Sequence, residues 1–521
     1  MENQNKKATE ADTALLLRPC LSNRLKDFLG ESKLIRDLVT AFGSPLNILF
    51  PQAMAGNHNP FLDMLAKHRV KGKLFFAHKA NQSHSLLSET AMSTIGVDVA
   101  SLDELRHALA CGFTGARLEA TGPKNLEFLH LCLMHGLVVN VDSMDELMQL
   151  VGLQSALAAP AAAQIPPAQI HPTQIAPTQI QPTQIPPARI LLRLTDFKAP
   201  RNNVIAKQSR FGIRLGDLSA ALAAVAQHRD KVELLGFAFH LDSISLDERV
   251  VAIENCLEAI EEAIDLGLEP HIINAGGHFR INYLQYEEDW HRYTSAIKQA
   301  ALGTGPQVTW QNKYFGLSTV AGTLRGQFTT YGFFEPAPGA AFLEKLLESE
   351  LPAYGHKKVA AVLRENMIEL WLEPGRALLD QAGITLARVN SIKTASSGEI
   401  LVNLNMKRSD IGYLDQEIFV DPILLDSASS GDQERVPVYL AGSLCLESDL
   451  IYRHLTYLPR LPKPGDILAF VNTAAYSMDF SASFTAGQPP AKRLAVCQNK
   501  DGFSWTQDEL YTPIHQLITK E

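Results

Sequence analysis

A chain of 521 residues has room for two or more domains, or for one large barrel with an appendage. Hydrophobic residues make up 46% and charged residues 20%, a globular mix that excludes wholesale disorder and a fibrous repeat. With 47 Lys and Arg against 56 Asp and Glu the net charge is −9, and no basic run could neutralise a row of phosphates, so nucleic acid is not an expected partner.

The polar start, Met1 to Lys7, and the lack of any apolar stretch near the ~20 residues needed to cross a bilayer point away from secretion and from the membrane. Six scattered cysteines (Cys20, Cys111, Cys132, Cys256, Cys445, Cys497) form no CxxC pair and show no metal-ligand spacing with histidine. They read as reduced thiols of a cytoplasmic protein, with no metal expected.

In chain order, "PLNILF" at 45–50 is a strand candidate, and part of the 1–69 segment is expected to join a later β domain. Short β-rich runs then alternate with amphipathic helices: "KLFFAHKAN", "GVDVAS", "ARLEATGP" and "LVVNVDS", continued by "ILLRLTD", "LLGFAFHLDS", "PHIINAGG" and "MIELWLEPGR". Strands alternating with helices imply parallel strands joined by crossover helices. Eight such runs predict an α/β fold, a (β/α)8 TIM-type barrel over 70–383.

The barrel pattern is interrupted at 155–190, where residues 161–190 repeat in fives as AAAQI, PPAQI, HPTQI, APTQI, QPTQI and PPARI. Proline at nearly every period removes backbone donors, so this insertion is expected outside the core, as polyproline II or plain disorder. A second stretch, 305–360, is too long for an ordinary barrel connection and reads as an insertion near the strand ends where barrel active sites lie. From 384 to 521 short alternating strands such as "EILVNLN", "VPVYLAGSL" and "GDILAFVNT" predict an all-β C-terminal domain.

Lys79 closes the first barrel strand after apolar residues, where burial is expected to lower its pKa and make the amine a better nucleophile. His78 next to it is expected on the opposite face, packed rather than catalytic. Gly276 and Gly277 follow a strand directly, so their amides can approach a phosphate with no Cβ in the way. Glu373, Gly375 and Arg376 in "WLEPGR" end another strand on the same rim.

Taken together, the ordered series "HKAN", "GVDVASLDEL", "TGPKN", "VDSMDEL", "RFGI", "FHLDS", "NAGG", "EPGR", "CLESD" and "AAY" resembles the pyridoxal-phosphate-dependent decarboxylases on an alanine-racemase-like barrel, the group of the diaminopimelate, ornithine and arginine decarboxylases. It is similar to a less characterised branch of that group. The resemblance implies that Lys79 binds pyridoxal 5'-phosphate covalently and that His240 stacks on its ring. It places Ser243, Gly276, Gly277, Gly375, Arg376 and Tyr476 around the phosphate, and sets Glu373 against the pyridine nitrogen. By the same resemblance Cys445 crosses a homodimer interface, together with the β domain that carries Tyr476, to protonate Cα. Asp98, Glu104 and Arg193 fall on supporting positions around the cofactor. The implied reaction is decarboxylation of a small amino acid; a racemase on the same fold and a non-catalytic binding relative are the alternatives.

The sequence departs from the pattern in places. His278 stands where a third glycine is usual, Asp242 replaces the glycine of "HVGS", and Ala474 replaces that of "GAY". After Cys445 comes Leu446, where an acidic residue would reach the distal end of the substrate, and Glu447 lies one position later. Because the repeat is expected to bury little area, deleting residues 161–185 should leave folding and turnover nearly unchanged, as thermal unfolding and an activity assay would check.

Overall fold

The computed structural model describes residues 14–158, 186–197, 209–243, 245–329, 331, 334–412, 418–426, 435–479 and 483–513. Most of the pentapeptide repeat lies outside them.

Eight parallel strands close a barrel: Gly72–Ala77, Gly96–Val99, Leu118–Ala120, Val138–Val141, Ala188–Thr195, Val232–Ala238, Ile272–Asn274 and Glu369–Leu372. Each pairs in parallel with its neighbour in this order, and Glu369–Leu372 returns to pair with Gly72–Ala77. The strands are nearly all apolar because both faces are covered, by helices outside and by a filled interior inside. That interior is a separate apolar cluster built from six strands, with Phe75 and Trp371 ring centroids 5.0 Å apart, joined by Val138, Leu191, Leu235, Ala238 and Ile272. The barrel is therefore plugged, and chemistry is confined to its C-terminal rim.

Local signals start the helices that follow the strands. Ser101 caps Leu102–Ala110 by accepting from the Glu104 amide, and Asn125 caps Leu126–His135 in the same way. Gly136 ends the latter helix with φ +64°, a conformation that costs glycine nothing. The expected insertion at 155–190 needs trimming at both ends. Helix Met144–Ala158 continues through its first residues, and strand Ala188–Thr195 takes its last, with Ile190 fully buried. The final period of the repeat thus supplies a core strand residue: apolar Ile190 is more stable between two barrel strands than in water.

The second insertion is folded. A hairpin, Leu317–Val320 with Thr323–Gly326, and helix Ala340–Glu348 lie between the last two barrel strands. This segment also docks on the C-terminal domain, where the Trp310 amide donates to the Arg453 carbonyl at 2.7 Å and the Phe315 and Phe419 rings meet edge to face at 4.4 Å.

The second domain is a mainly antiparallel sheet from Gly383–Thr394 onward, with one strand from far upstream. Leu46–Leu49 lies between Gly383–Thr394, antiparallel, and Lys492–Asn499, parallel. All four of its residues are buried, and Asn47 is satisfied there by the Thr385 hydroxyl at 2.7 Å.

Strands Val232–Ala238 and Ile272–Asn274 approach so closely that a Cβ on Gly236 would stand 1.9 Å from the Ile272 carbonyl oxygen. Backbone on both sides leaves nothing to yield, so Gly236→Ala should cost about 1–3 kcal/mol or more in chemical denaturation.

Candidate active site

Lys79 lies on the single 3-10 turn His78–Ala80 that ends the first barrel strand. Its Nζ is 3.8 Å from Asp98 Oδ2 on the neighbouring strand. Asp98 is buried, its other oxygen accepts from Thr121 Oγ1 at 2.5 Å, and Oδ2 has no hydrogen-bond partner. That orphaned oxygen faces the Lys79 ammonium. The expectation that burial lowers the Lys79 pKa is corrected here. Burial does pull it down, but Asp98, Tyr476 and Glu373 outweigh that effect and the net shift is upward.

Glu373 ends the strand on the other side of Lys79 and is 6% exposed. Burial, and then Asp98, push its carboxyl up to about 7, with Lys79 and Arg193 opposing. Asn274 Nδ2 donates to Glu373 Oε1 at 2.6 Å and to both oxygens of Glu119, at 2.8 and 3.0 Å. Glu119 is fully buried, and burial raises its pKa well above the ordinary carboxylate range. Neither Asn274 nor Glu119 was among the sequence candidates. The available signal was a polar residue inside an apolar strand, in "HIINAGG" and in "ARLEATGP".

His240 follows strand Val232–Ala238, and burial, then the charges of Lys79 and Arg193, hold its imidazole neutral. The Gly277 amide donates to its Nδ1 at 3.3 Å. Gly276 has φ +66°, and a Cβ there would lie 2.6 Å from the Phe239 carbonyl oxygen and 2.9 Å from His240 Nδ1. On Gly277 a Cβ would be 2.4 Å from the Glu373 carbonyl oxygen. The buried Arg249 fixes this loop by donating to the Ala275 and Gly277 carbonyls at 3.1 and 2.7 Å.

Arg376 donates to the Tyr283 hydroxyl, and its guanidinium lies over the rings of Tyr331 at 4.5 Å and Tyr476 at 5.0 Å. A Cβ on Gly375 would be 2.6 Å from the Tyr476 hydroxyl. Tyr476 comes from the β domain of the same chain, and its amide donates to the Ala80 carbonyl at 2.7 Å. The expected meeting of Tyr476 with the barrel across a two-fold is therefore corrected to a contact within one chain. Asn81 reinforces it by donating to the Ala474 carbonyl at 2.7 Å.

The remaining candidates are more peripheral. Ser243 is half-buried, and its Oγ accepts from the Ser245 amide at 3.1 Å. Glu104 accepts from the Ala100 amide at 2.7 Å and from Gln82 at 2.8 Å, which ties helix Leu102–Ala110 to the turn after Lys79. Arg193 pairs with Asp142 at 3.3 Å. Cys445 is exposed in the β domain on the 442–449 loop, which Asp449 pins by accepting from the amides of Leu444 and Arg408 at 2.8 and 2.9 Å.

The donor set fits a phosphorylated pyridine aldehyde: an amine for the aldehyde, a buried carboxyl for the ring nitrogen, a flat neutral imidazole for the ring face. Glycine backbone, arginine and tyrosine remain for the phosphate. This constellation defines a pyridoxal-phosphate enzyme of the barrel type. Residues 56–309 match the family model described as pyridoxal-dependent decarboxylase, pyridoxal binding domain. The uncharacterized protein y4yA of Sinorhizobium fredii is 30% identical over 491 residues, 93% of this chain and 95% of its own. The diaminopimelate decarboxylase of Bacillus methanolicus is 24% identical, covering 87% of this chain and 88% of its own. Among solved structures, the fold is shared with the Helicobacter pylori diaminopimelate decarboxylase complexed with L-lysine, with a TM-score of 0.62 and 17% identity over 90% of this chain and 95% of that one. The Paramecium bursaria Chlorella virus arginine decarboxylase gives 0.61 and 18%, over 89% and 99%. The chain belongs to the pyridoxal-dependent decarboxylases, carboxy-lyases that use pyridoxal 5'-phosphate on an alanine-racemase-like barrel.

A carboxyl whose folded pKa of about 7 exceeds its ordinary 4.5 holds a proton that the unfolded chain has released between those values. Stability therefore falls as pH rises through that window. Glu373→Gln should remove this part of the slope in the cofactor-free protein, as denaturant unfolding at several pH values would check.

Proposed function

We propose that this chain decarboxylates a small amino acid, with Lys79 as the residue that binds the cofactor covalently and Cys445 of a second copy as the Cα proton donor. The observation that carries the reading is Glu373, a buried carboxyl on the strand beside that of Lys79. Bound pyridoxal phosphate supplies an electron sink for the pair left when the bond from Cα to the carboxylate breaks. Glu373 holds the proton on the ring nitrogen and so keeps that sink deep. Asn274 keeps the Glu373 carboxyl oriented, His240 covers one face of the ring, and the plugged barrel below excludes water. Arg376, Tyr476, Gly276, Gly277 and Gly375 hold the phosphate end, with Ser243 near it. Asp98 and Arg193 balance the charge around Lys79, and Glu104 positions its turn. A carboxyl rather than a cation at the ring nitrogen favours decarboxylation over racemisation.

Cys445 returns the proton to Cα. Its exposure within one chain supports a homodimer with shared sites, in which its loop enters the partner's barrel rim. Leu446, 55% exposed beside it, supports a substrate whose distal end is not held by an acidic residue there, unlike those of the named decarboxylases. Six free cysteines support a cytoplasmic location. Among the described residues no helix is long and apolar enough to cross a membrane.

Lys79→Ala should abolish covalent cofactor, read as loss of the visible-edge absorbance band, together with carbon dioxide release from a panel of amino acids. Mixing inactive Lys79→Ala and Cys445→Ala chains should restore at most about a quarter of wild-type activity, since half of the dimers are hybrids with one intact site. Turnover by Lys79→Ala would overturn the lysine assignment. No recovery despite demonstrated subunit exchange would overturn the shared site.

A further inference from the structure

His84, His107 and Cys111 have no role in the proposed reaction, yet their ligating atoms all lie within 4.8 Å of one another. His107 and Cys111 are four residues apart at the end of helix Leu102–Ala110, so they share one face. His84 opens helix His84–Ala91, which follows the turn carrying Lys79. All three side chains are half-buried, so an ion can enter from solvent.

The hydrogen bonds around the cluster leave one nitrogen of His84 and one of His107 unprotonated. The Asn81 carbonyl accepts from His78 Nδ1 at 3.1 Å, so His78 carries its proton there and presents a bare Nε2. His107 Nδ1, 3.1 Å from that nitrogen, must then be the donor, which leaves His107 Nε2 unprotonated. Ser88 donates to Cys111 Sγ at 3.7 Å, so it accepts from His84 Nε2 at 3.1 Å and leaves His84 Nδ1 bare. That nitrogen is 3.5 Å from Cys111 Sγ. A tetrahedral zinc ion, with bonds of about 2.3 Å to sulfur and 2.0–2.1 Å to nitrogen, separates two such ligands by about 3.5 Å.

Outer groups complete the arrangement. His78 orients His107 and Ser88 orients His84, as the partners of metal-bound imidazoles commonly do. The buried Asp508 adds negative charge facing His107 and Cys111 while its oxygens accept from the His84 and Ser85 amides at 2.8 and 3.0 Å.

We propose that His84, His107 and Cys111 form a binding site for a borderline-soft divalent transition ion of the zinc class, with water in the fourth position. As the sulfur–metal bond forms, the Cys111 thiol proton leaves to solvent, so affinity rises with pH. The ion clamps together the two helices that follow the strands of Lys79 and Asp98. Its ligands are distinct from those residues, although His78 links His107 to the Lys79 turn, and the site does not depend on the proposed reaction.

The test uses the holoenzyme, stripped with a chelator and titrated with Zn2+ by calorimetry and with Co2+ by absorbance. Wild type should bind one ion per chain and show a thiolate-to-cobalt charge-transfer band. Cys111→Ala should abolish that band, whereas Cys20→Ala should keep it. His107→Ala should weaken zinc binding by at least about 100-fold, and His78→Phe, which removes the outer partner and its bond to the Asn81 carbonyl, by about 10–100-fold. If Cys111→Ala or His107→Ala fails to fold, His84→Ala serves in its place. Failure of wild type to bind one equivalent would overturn the proposal, as would binding unchanged in the ligand variants or a cobalt spectrum without the thiolate band.

Discussion

The rim of this barrel is governed by a shortage of positive charge. Asp98, Glu119 and Glu373 are buried on strands close together around the ring, with Lys79 among them, while the nearby cations Lys124 and Arg193 are already paired with Glu146 and Asp142. Like charges at short range in a site with little water disfavour ionisation of the two glutamates. Glu119 is pushed furthest toward its neutral form, Glu373 to an intermediate position, and the Lys79 ammonium is favoured. Asn274 apportions the charge, since one amide nitrogen serves both glutamates. A group carrying positive charge would be stabilised in this space.

The departures from the family pattern become intelligible in three dimensions. His278 and Asp242, which occupy two positions where glycine is usual, form a pair, with His278 Nδ1 3.2 Å from Asp242 Oδ1. His278 adopts φ +63°, a conformation glycine would take more cheaply, and the contact with Asp242 helps offset that cost. Two substitutions that look like separate losses in a linear reading are one replacement at the mouth of the glycine loop. At the other side of that mouth, Tyr476 and Asn81 fasten the β domain to the Lys79 turn within one chain. The contact between the domains thus lies at the Lys79 turn itself.

The barrel was legible because its strands are short apolar runs with well-capped helices between them, and because its reactive groups stand at strand ends. The residues around Lys79 were legible through motif order. Glu119 and Asn274 were not, since a single polar residue in an apolar run gives no sign of its partner, and theirs is brought close only by barrel closure. The net direction of the Lys79 shift is not legible in the sequence for a related reason: burial can be read from neighbours in sequence, but opposing charges sit on other strands. The cluster of His84, His107 and Cys111 has the same origin, as it joins two helices that the linear spacing keeps apart. Ile190 belongs to both patterns, the fifth letter of a period and the third residue of a strand.

The placement of Leu46–Leu49 has a consequence for biogenesis. This strand emerges early from the ribosome, yet its two sheet neighbours are more than 300 residues downstream, with the whole barrel encoded in between. At about 5–20 residues per second, synthesis leaves it without a partner for tens of seconds. Its four buried residues and unpaired edges must be sheltered during that interval, by the nascent barrel or by a chaperone. The C-terminal domain can therefore close only after the barrel has been made, so maturation runs in one direction, with the catalytic rim sealed last.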